Sequence, residues 1–154
     1  MDIRNVNFGM SQDEVINNEH AKLVHSENEI LVYETSVMGL NTILGYKFNH
    51  NQLALAMYSF NDLDGLGVLR EQLSKKYGEP HIEINWKNPL LEGSIELSQA
   101  VLLGLCTIYL TWNNGKIKVE MIIEKEENNL IPQLKLAYSS SILVFEEEID
   151  TFGL

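Results

Sequence analysis

The chain has 154 residues, of which 22 are acidic and 11 are Lys or Arg, so its formal net charge at pH 7 is −11. A chain of this length is typical of one domain and can bury enough apolar surface to fold without disulfides or a structural metal. Its single cysteine excludes an internal disulfide framework and any multi-cysteine metal site. The acidity argues against nucleic-acid binding, because phosphate contacts need clustered Lys and Arg.

The N-terminal residues lack the apolar core of a signal peptide, and the longest apolar stretch, residues 100–110, is about half the length of a membrane span. We therefore expect no membrane span. The location is cytoplasmic if Met1 is the native start, and extracytoplasmic if a leader has been removed.

The first predicted element is a helix over residues 12–18. Ser11 and Glu14 have the spacing of a capping box, in which each side chain accepts a hydrogen bond from the other's backbone N–H. Beyond this helix, runs of β-branched and aromatic residues are separated by short polar turns. They predict strands over residues 21–25, 30–37, 41–48 and 52–60.

A second helix is predicted over residues 63–77, because Leu and Tyr side chains recur there every three or four positions. Asn61 or Asp62 is its candidate N-terminal cap. Gly78 suits the position just after a helix, and Pro80 prevents the helix from continuing.

The remaining elements come from the second half of the chain. A helix is predicted over residues 94–103, with Ser94 as its cap, although this segment is apolar nearly all round. Asn-Gly at 114–115 predicts a tight hairpin turn, since both residues tolerate positive φ. The spacing of Ile and Phe over 142–152 predicts a tail helix. The predicted strands are 81–86, 107–112, 116–124 and 130–139.

Strands that follow one another through hairpin turns predict an α+β fold. We expect an antiparallel sheet built from two helix-plus-meander halves, with the helices packed on one face. The chain is then a single domain over 1–154, with loosely duplicated halves 1–61 and 62–154.

Three short motifs resemble a known bacterial superfamily. They are the helix opening at residues 8–15 (FGMSQDEV), the helix exit Gly-x-Pro at residues 78–80, and the hairpin around residues 48–53. Together they are similar to motifs of the SmpA-type lipoproteins and the β-lactamase-inhibitor-protein-like (BLIP-like) superfamily. The resemblance implies helix-plus-meander repeats and action by protein–protein contact, as inhibitors or assembly factors. The chain departs from that pattern in lacking a leader and a lipid-anchoring cysteine near its N-terminus.

Catalytic and metal-binding candidates are sparse. His81 and Glu83 fall on one face of a predicted strand, where they could form an acid–base pair or two metal ligands, although a solvated strand face is the commoner arrangement. His20 and His25 fall on opposite faces of their strand, which disfavours a shared metal. Cys106 has aliphatic neighbours, which indicate a buried thiol. We therefore expect no catalytic activity, no cofactor and no bound metal.

Binding candidates are aromatic and acidic. Trp86 and Trp112 lie on predicted strands, where they either anchor a partner on an uncovered sheet face or pack in the core. Residues 120–154 contain eight acidic and two basic side chains, more than half of the net charge. This excess either attracts a basic partner or serves solubility. The tail candidates for the acidic surface are Glu146, Glu147, Glu148 and Asp150.

These observations favour a non-catalytic module that binds a protein partner through an exposed sheet face and the acidic C-terminal region, as an inhibitor, an immunity protein or an assembly factor. Two alternatives from other classes stay open. One is a small-ligand-binding protein or hydrolase with its site near His81 and Glu83. The other is a structural protein that self-associates into a homo-oligomer.

Overall fold

The computed structural model describes residues 4–140 of the chain. The predicted tail helix over 142–152 and the four acidic candidates in it, Glu146, Glu147, Glu148 and Asp150, lie outside the described residues.

The described residues form helices and strands in the order α1-β1-β2-β3-β4-α2-β5-α3-β6-β7-β8, with a short 3-10 turn at Pro89–Leu91 between β5 and α3. This confirms the predicted mixed α+β class. The helices are α1 (Gln12–Asn18), α2 (Leu66–Tyr77) and α3 (Leu97–Leu102). The strands are β1 (Lys22–Glu27), β2 (Ile30–Val37), β3 (Leu40–Asn49), β4 (Gln52–Phe60), β5 (His81–Trp86), β6 (Cys106–Asn113), β7 (Ile117–Glu124) and β8 (Gln133–Ser140).

The strands are hydrogen-bonded in the order β1-β2-β3-β4-β8-β7-β6-β5. The pairs β1–β2, β2–β3 and β5–β6 are antiparallel. The register of β1 on β2 shifts between Leu23 and His25, which makes Val24 a bulge in an edge strand. Edge strands with bulges and charged residues resist pairing with other chains.

Two compact units divide the described residues. The first gathers residues 4–58, 113–119 and 137–140, and the second gathers 59–112 and 120–136. In the first unit the core comes from alternate residues of β2, β3 and β4 together with Val15 of α1. In the second unit, α2 contributes Leu69 and Leu73, and β6 contributes Cys106, Leu110 and Trp112. The period-two burial of the strands and the single buried stripe of α2 follow the pattern expected from the sequence.

The predicted start of α1 is confirmed at the level of atoms. The hydroxyl of Ser11 accepts from the backbone N–H of Glu14 at 3.2 Å, and the Glu14 carboxylate accepts from the Ser11 N–H at 3.1 Å. The turn between β3 and β4 holds His50 and Asn51, both with positive φ. Positive φ at both residues is what a two-residue turn of the commonest hairpin type requires.

The structure corrects both predicted helix starts in the second unit. α2 begins at Leu66 without a side-chain cap, and the Asp62 carboxylate instead accepts from the N–H of Asp64 at 3.0 Å. α3 begins at Leu97, because the Ser94 hydroxyl donates to the carbonyl of Leu91 at 2.7 Å and closes the preceding 3-10 turn. In both cases the polar side chain stabilises a local turn in place of the helix end.

The predicted turn at 114–115 is present, with a different geometry. Gly115 has a φ of 90°, whereas Asn114 does not have positive φ. The side chain of Asn113 accepts from the N–H of Gly115 at 2.9 Å, and that of Asn114 accepts from the N–H of Ile117 at 2.8 Å. The asparagines therefore shape the turn through side-chain hydrogen bonds, and Gly115 supplies the positive φ.

Candidate interaction surface

Trp112 lies in the core of the second unit. It is 2 % exposed, and its indole N–H donates to the carbonyl of Gly78 at 2.7 Å. Gly78 follows the last residue of α2, so this hydrogen bond holds the end of α2 against β6. Of the two roles that the sequence leaves open for Trp112, the structure shows core packing, and its ring is not available to a partner in this structure.

Trp86 is half-buried and lies opposite Cys106 in the β5–β6 register. Alternation along β6 places Cys106 on the same side as Leu110 and Trp112, so Trp86 faces the core side of these two strands. Its role in partner binding stays a prediction. Three tyrosines on the strands of the first unit, Tyr33, Tyr46 and Tyr58, are buried as well.

His81 and Glu83 lie on one face of β5, as the sequence predicts. They are exposed, and the register places them opposite Thr111 and Tyr109 of β6. The hydroxyl of Thr111 donates to the Glu120 carboxylate at 3.5 Å. Within residues 4–140, no group of three or more His, Cys, Asp or Glu side chains is arranged to hold a metal ion.

A buried ion pair occupies the first unit. The Arg4 guanidinium donates to both oxygens of the Glu19 carboxylate, from Nε to Oε1 at 2.9 Å and from Nη2 to Oε2 at 3.1 Å. The hydroxyl of Tyr46 donates to Oε1 at 2.6 Å, and the backbone N–H of Ala21 donates to Oε2 at 3.0 Å. The Glu19 side chain is fully buried, whereas that of Arg4 is 24 % exposed.

These contacts set the charge of the cluster. Burial would raise the pKa of Glu19, but the hydrogen bonds from Tyr46, Ala21 and Arg4 outweigh burial, so its pKa lies below the ordinary value. Burial and the hydrogen bond to Glu19 raise the pKa of Tyr46. Glu19 is thus an anion with four donors and no proton to transfer at neutral pH, which is the arrangement of a structural ion pair.

The Tyr33 hydroxyl is buried beside this cluster with no hydrogen-bond partner. Its ring meets that of Tyr46 edge-to-face, with centroids 5.7 Å apart. Burial, and then the negative charge of Glu19, raise the pKa of Tyr33. Tyr33 therefore stays neutral, and its ring contributes to the core.

The most exposed aliphatic side chains of the second unit lie on two connections, the one from β5 to β6 and the one from β7 to β8. Leu90 is 86 % exposed on the 3-10 turn, Leu103 is 63 % exposed just after α3, and Leu130 is 95 % exposed between β7 and β8. Three more exposed aliphatic side chains lie on the same connections. We call this set the apolar end: Leu90, Leu97, Leu102, Leu103, Leu130 and Ile131.

One contact within the second unit joins the two connections at their bases. Trp86 pairs with Cys106, so residues 87–105 leave and re-enter the β5–β6 pair at the same end. Gly104 lies beside Lys125, the first residue after β7: a Cβ on Gly104 would be 3.6 Å from the Lys125 carbonyl oxygen, an ordinary van der Waals contact. The connection from β7 to β8 therefore starts beside the last turn of the α3 connection.

Hydrogen bonds fix both connections. Lys87 N–H donates to the Leu105 carbonyl at 2.9 Å and closes the base of the first one. Lys135 donates to the carboxylates of Glu124 and Glu126, each at 3.1 Å, and closes the base of the second. The two carboxylates raise the pKa of Lys135, although its burial alone would lower it. These hydrogen bonds close each connection at its base.

α3 shows most clearly that the apolar end is one-sided. It buries Ala100 and Val101, while Leu97 and Leu102 are exposed. The exposed side of α3 holds Ser98, Gln99 and Leu102, whereas Leu97, which is 37 % exposed, lies nearer to the buried side. The described residues cover one side of α3 only, and exposed clusters of large aliphatic side chains mark interaction surfaces.

The sequence contains a signal for this surface. The segment 94–103 holds five large aliphatic side chains in ten residues. Leu130 and Ile131 were assigned to the last strand, whereas β8 begins at Gln133, after Pro132. For the pair of Arg4 and Glu19, no local pattern indicated that a residue before the first helix would reach one after it.

Comparison with protein-family models finds no match, and comparisons with curated proteins and with solved structures find no significant similarity. The SmpA-type and BLIP-like resemblance therefore stays a prediction. None of the helices in the described part of the chain has the length and apolar character needed to cross a bilayer.

Proposed function

We propose that the protein is a non-catalytic protein–protein interaction module and that the apolar end is its main contact surface. The observation that carries this proposal is the exposure of large aliphatic side chains on both connections, with Leu102 56 %, Leu103 63 % and Leu130 95 % exposed. Fully burying one leucine side chain stabilises a complex by roughly 1.5–3 kcal/mol, so a few of these residues supply the core of an interface.

The proposal retains the inhibitor, immunity or assembly-factor roles, and the BLIP-like ancestry with two helix-plus-meander halves and helices on one face. It moves the main contact from a sheet face to the connections of the second unit. Contributions from Trp86 on β5 and from the acidic tail are secondary parts of the same proposal.

Site-specific photo-cross-linking tests the proposal in the full chain. A photoreactive amino acid replaces Leu130 or Leu102, and a matched control replaces Met38, which is exposed in the first unit between β2 and β3. In the native host, we expect a discrete adduct with one other protein from the positions at the apolar end and none from Met38. The partner, identified by mass spectrometry and purified, is then titrated against variants.

The titration must reproduce the cross-linking pattern. We expect Leu102→Ser to weaken binding about tenfold, since it removes the burial of one leucine, and Met38→Ser to leave binding within about twofold. Adducts only to residues 141–154 of the same chain, only between two copies, or equally from Met38 would overturn the proposal. Adducts between copies would favour the self-associating alternative.

A further inference from the structure

The charges around the apolar end have one prevailing sign. Glu92 and Glu96 are exposed between Leu90 and Leu97, and Glu126 and Glu127 are exposed just before Leu130. Residues 87–105 and 124–135 together hold five carboxylates and three Lys side chains, a net charge of −2.

The Lys side chains do little to neutralise the outer rim. Lys135 is held by Glu124 and Glu126, and Lys125 is half-buried against Gly104. Lys87 is exposed at the base of the first connection. Glu92, Glu96 and Glu127 are therefore exposed carboxylates close in sequence to the exposed leucines, and the two connections keep a net negative charge.

We propose that the apolar end receives a protein segment whose apolar stripe is flanked by Lys or Arg, such as a basic amphipathic helix. This inference rests on the proposed function and names the chemistry of the partner. Charge complementarity selects it, because the leucines offer apolar burial while the carboxylate rim attracts basic groups and repels acidic ones. A second copy of this chain would bring the same acidic rim and a net charge of −11, and an anionic bilayer would likewise be repelled.

Two synthetic peptides of about 18 residues, long enough for roughly five helical turns, probe this chemistry. Both carry the same Leu stripe, and the flanking positions are Lys in one peptide and Glu in the other. Binding of each fluorescently labelled peptide to the full chain is measured by anisotropy at about 50 and 300 mM NaCl. We expect the Lys peptide to bind at least about tenfold more tightly than the Glu peptide at low salt, with the difference shrinking at high salt.

Matched variants separate the apolar end from the diffuse charge of the protein. Leu102→Ser with Leu130→Ser should weaken the Lys peptide about tenfold, and Met38→Ser should not. A second comparison uses two double variants, each of which removes two negative charges. Glu92→Gln with Glu96→Gln removes carboxylates beside the apolar end, and Glu34→Gln with Glu79→Gln removes exposed carboxylates elsewhere. We expect the first pair to weaken binding about threefold more than the second, because only the first borders the apolar end.

Equal effects of the two charge pairs would show diffuse attraction and overturn the inference, as would equal binding of the Glu peptide. Binding to zwitterionic vesicles that the double Leu variant abolishes would assign the surface to lipid and overturn it as well. If cross-linking from Leu130 identifies a protein whose contact surface is acidic or neutral, this inference fails while the proposed function stands. If no adduct forms, the proposed function fails.

Discussion

Replacing Glu19 by Gln tests whether the buried ion pair stabilises the first unit as a charged group. The change keeps the shape of the side chain but removes the negative charge that receives four hydrogen bonds, including two from Arg4. The amide oxygen can still accept, whereas the amide nitrogen faces a donor. Arg4 is then left partly buried beside a neutral group.

The structure sets the size of the effect. Removing one partner of a fully buried ion pair costs about 3–5 kcal/mol, because the other charge stays buried without compensation. The Arg4 side chain is 24 % exposed, so water solvates part of its charge and the loss falls at or below the lower end of that range. We expect Glu19→Gln to lower the free energy of unfolding by about 2–3 kcal/mol, which a domain with about 5–15 kcal/mol of stability survives.

Urea unfolding followed by tryptophan fluorescence and circular dichroism measures this loss. The control is Glu71→Gln, which removes an equal charge from the exposed helical pair of Glu71 and Lys75, 3.3 Å apart. The control should change the free energy of unfolding by less than about 0.5 kcal/mol. A loss below about 1 kcal/mol for Glu19→Gln, or an equal loss in the control, would refute the reasoning.

The pH dependence gives an independent check with a fixed sign. The folded pKa of Glu19 lies below its ordinary value of 4.5, so ionised Glu19 contributes stability that is fully present above that value. This contribution is lost as the pH falls through the folded pKa. The difference between the wild-type protein and Glu19→Gln should therefore be constant near neutral pH and shrink below about pH 4.5. A difference that grows on acidification would contradict the assignment of Glu19 as a buried anion.

Three further predictions concern the second unit. Trp112→Phe removes the N–H that donates to Gly78 and should cost about 1–3 kcal/mol in urea unfolding, because the carbonyl loses its partner; no loss would show that water replaces the indole. Gly78→Ala should cost roughly 1–3 kcal/mol from backbone strain alone, since its φ is 91° and nothing lies within 4 Å of the added methyl. Gly67→Ala, which also adds a methyl without close neighbours but lies inside α2, should stabilise the protein by about 0.5–1 kcal/mol. If Gly67→Ala and Gly78→Ala change the free energy of unfolding equally, backbone strain is excluded as the cause of the loss at Gly78. Burial raises the pKa of Cys106, so a thiol reagent should react with it slowly in the native protein and rapidly in urea; rapid native reaction would contradict its burial.

Elements with strong local signals were predicted closely. The helix over 12–18 and the strands over 30–37, 52–60 and 81–86 have the observed bounds. In these segments capping, side-chain periodicity and turn residues all favour the same structure, so local preference and the fold agree.

Prediction failed where one polar side chain had two uses. Asp62 and Ser94 are good helix caps, yet each makes a hydrogen bond in a turn that precedes the helix. The sequence does not rank these two local arrangements, because their energies differ by less than the packing that decides between them.

The candidate surface was beyond local patterns for a different reason. Whether Leu102 or Leu130 is buried depends on what packs over it, and only the path of the chain brings their connections together beside Gly104 and Lys125. Trp112 is the opposite case, a buried residue whose burial the sequence pattern could not decide, because alternation along a strand is compatible with either face of the sheet. Its burial follows from the position of α2, which the strand pattern does not contain.

The division of the chain into units has a consequence for folding during synthesis. The first unit needs residues 113–119 and 137–140 in addition to residues 4–58, so it stays incomplete while 82 further residues are made after residue 58. At 5–20 residues per second, that wait lasts about 4–16 s. During this interval the growing chain carries β1 to β4 without their later partners, and an excised 1–61 half would remain in that state permanently. The bulge at Val24 protects only the β1 edge, so during this interval the open edge is that of β4, which later pairs with β8 and until then can pair with neighbouring nascent chains.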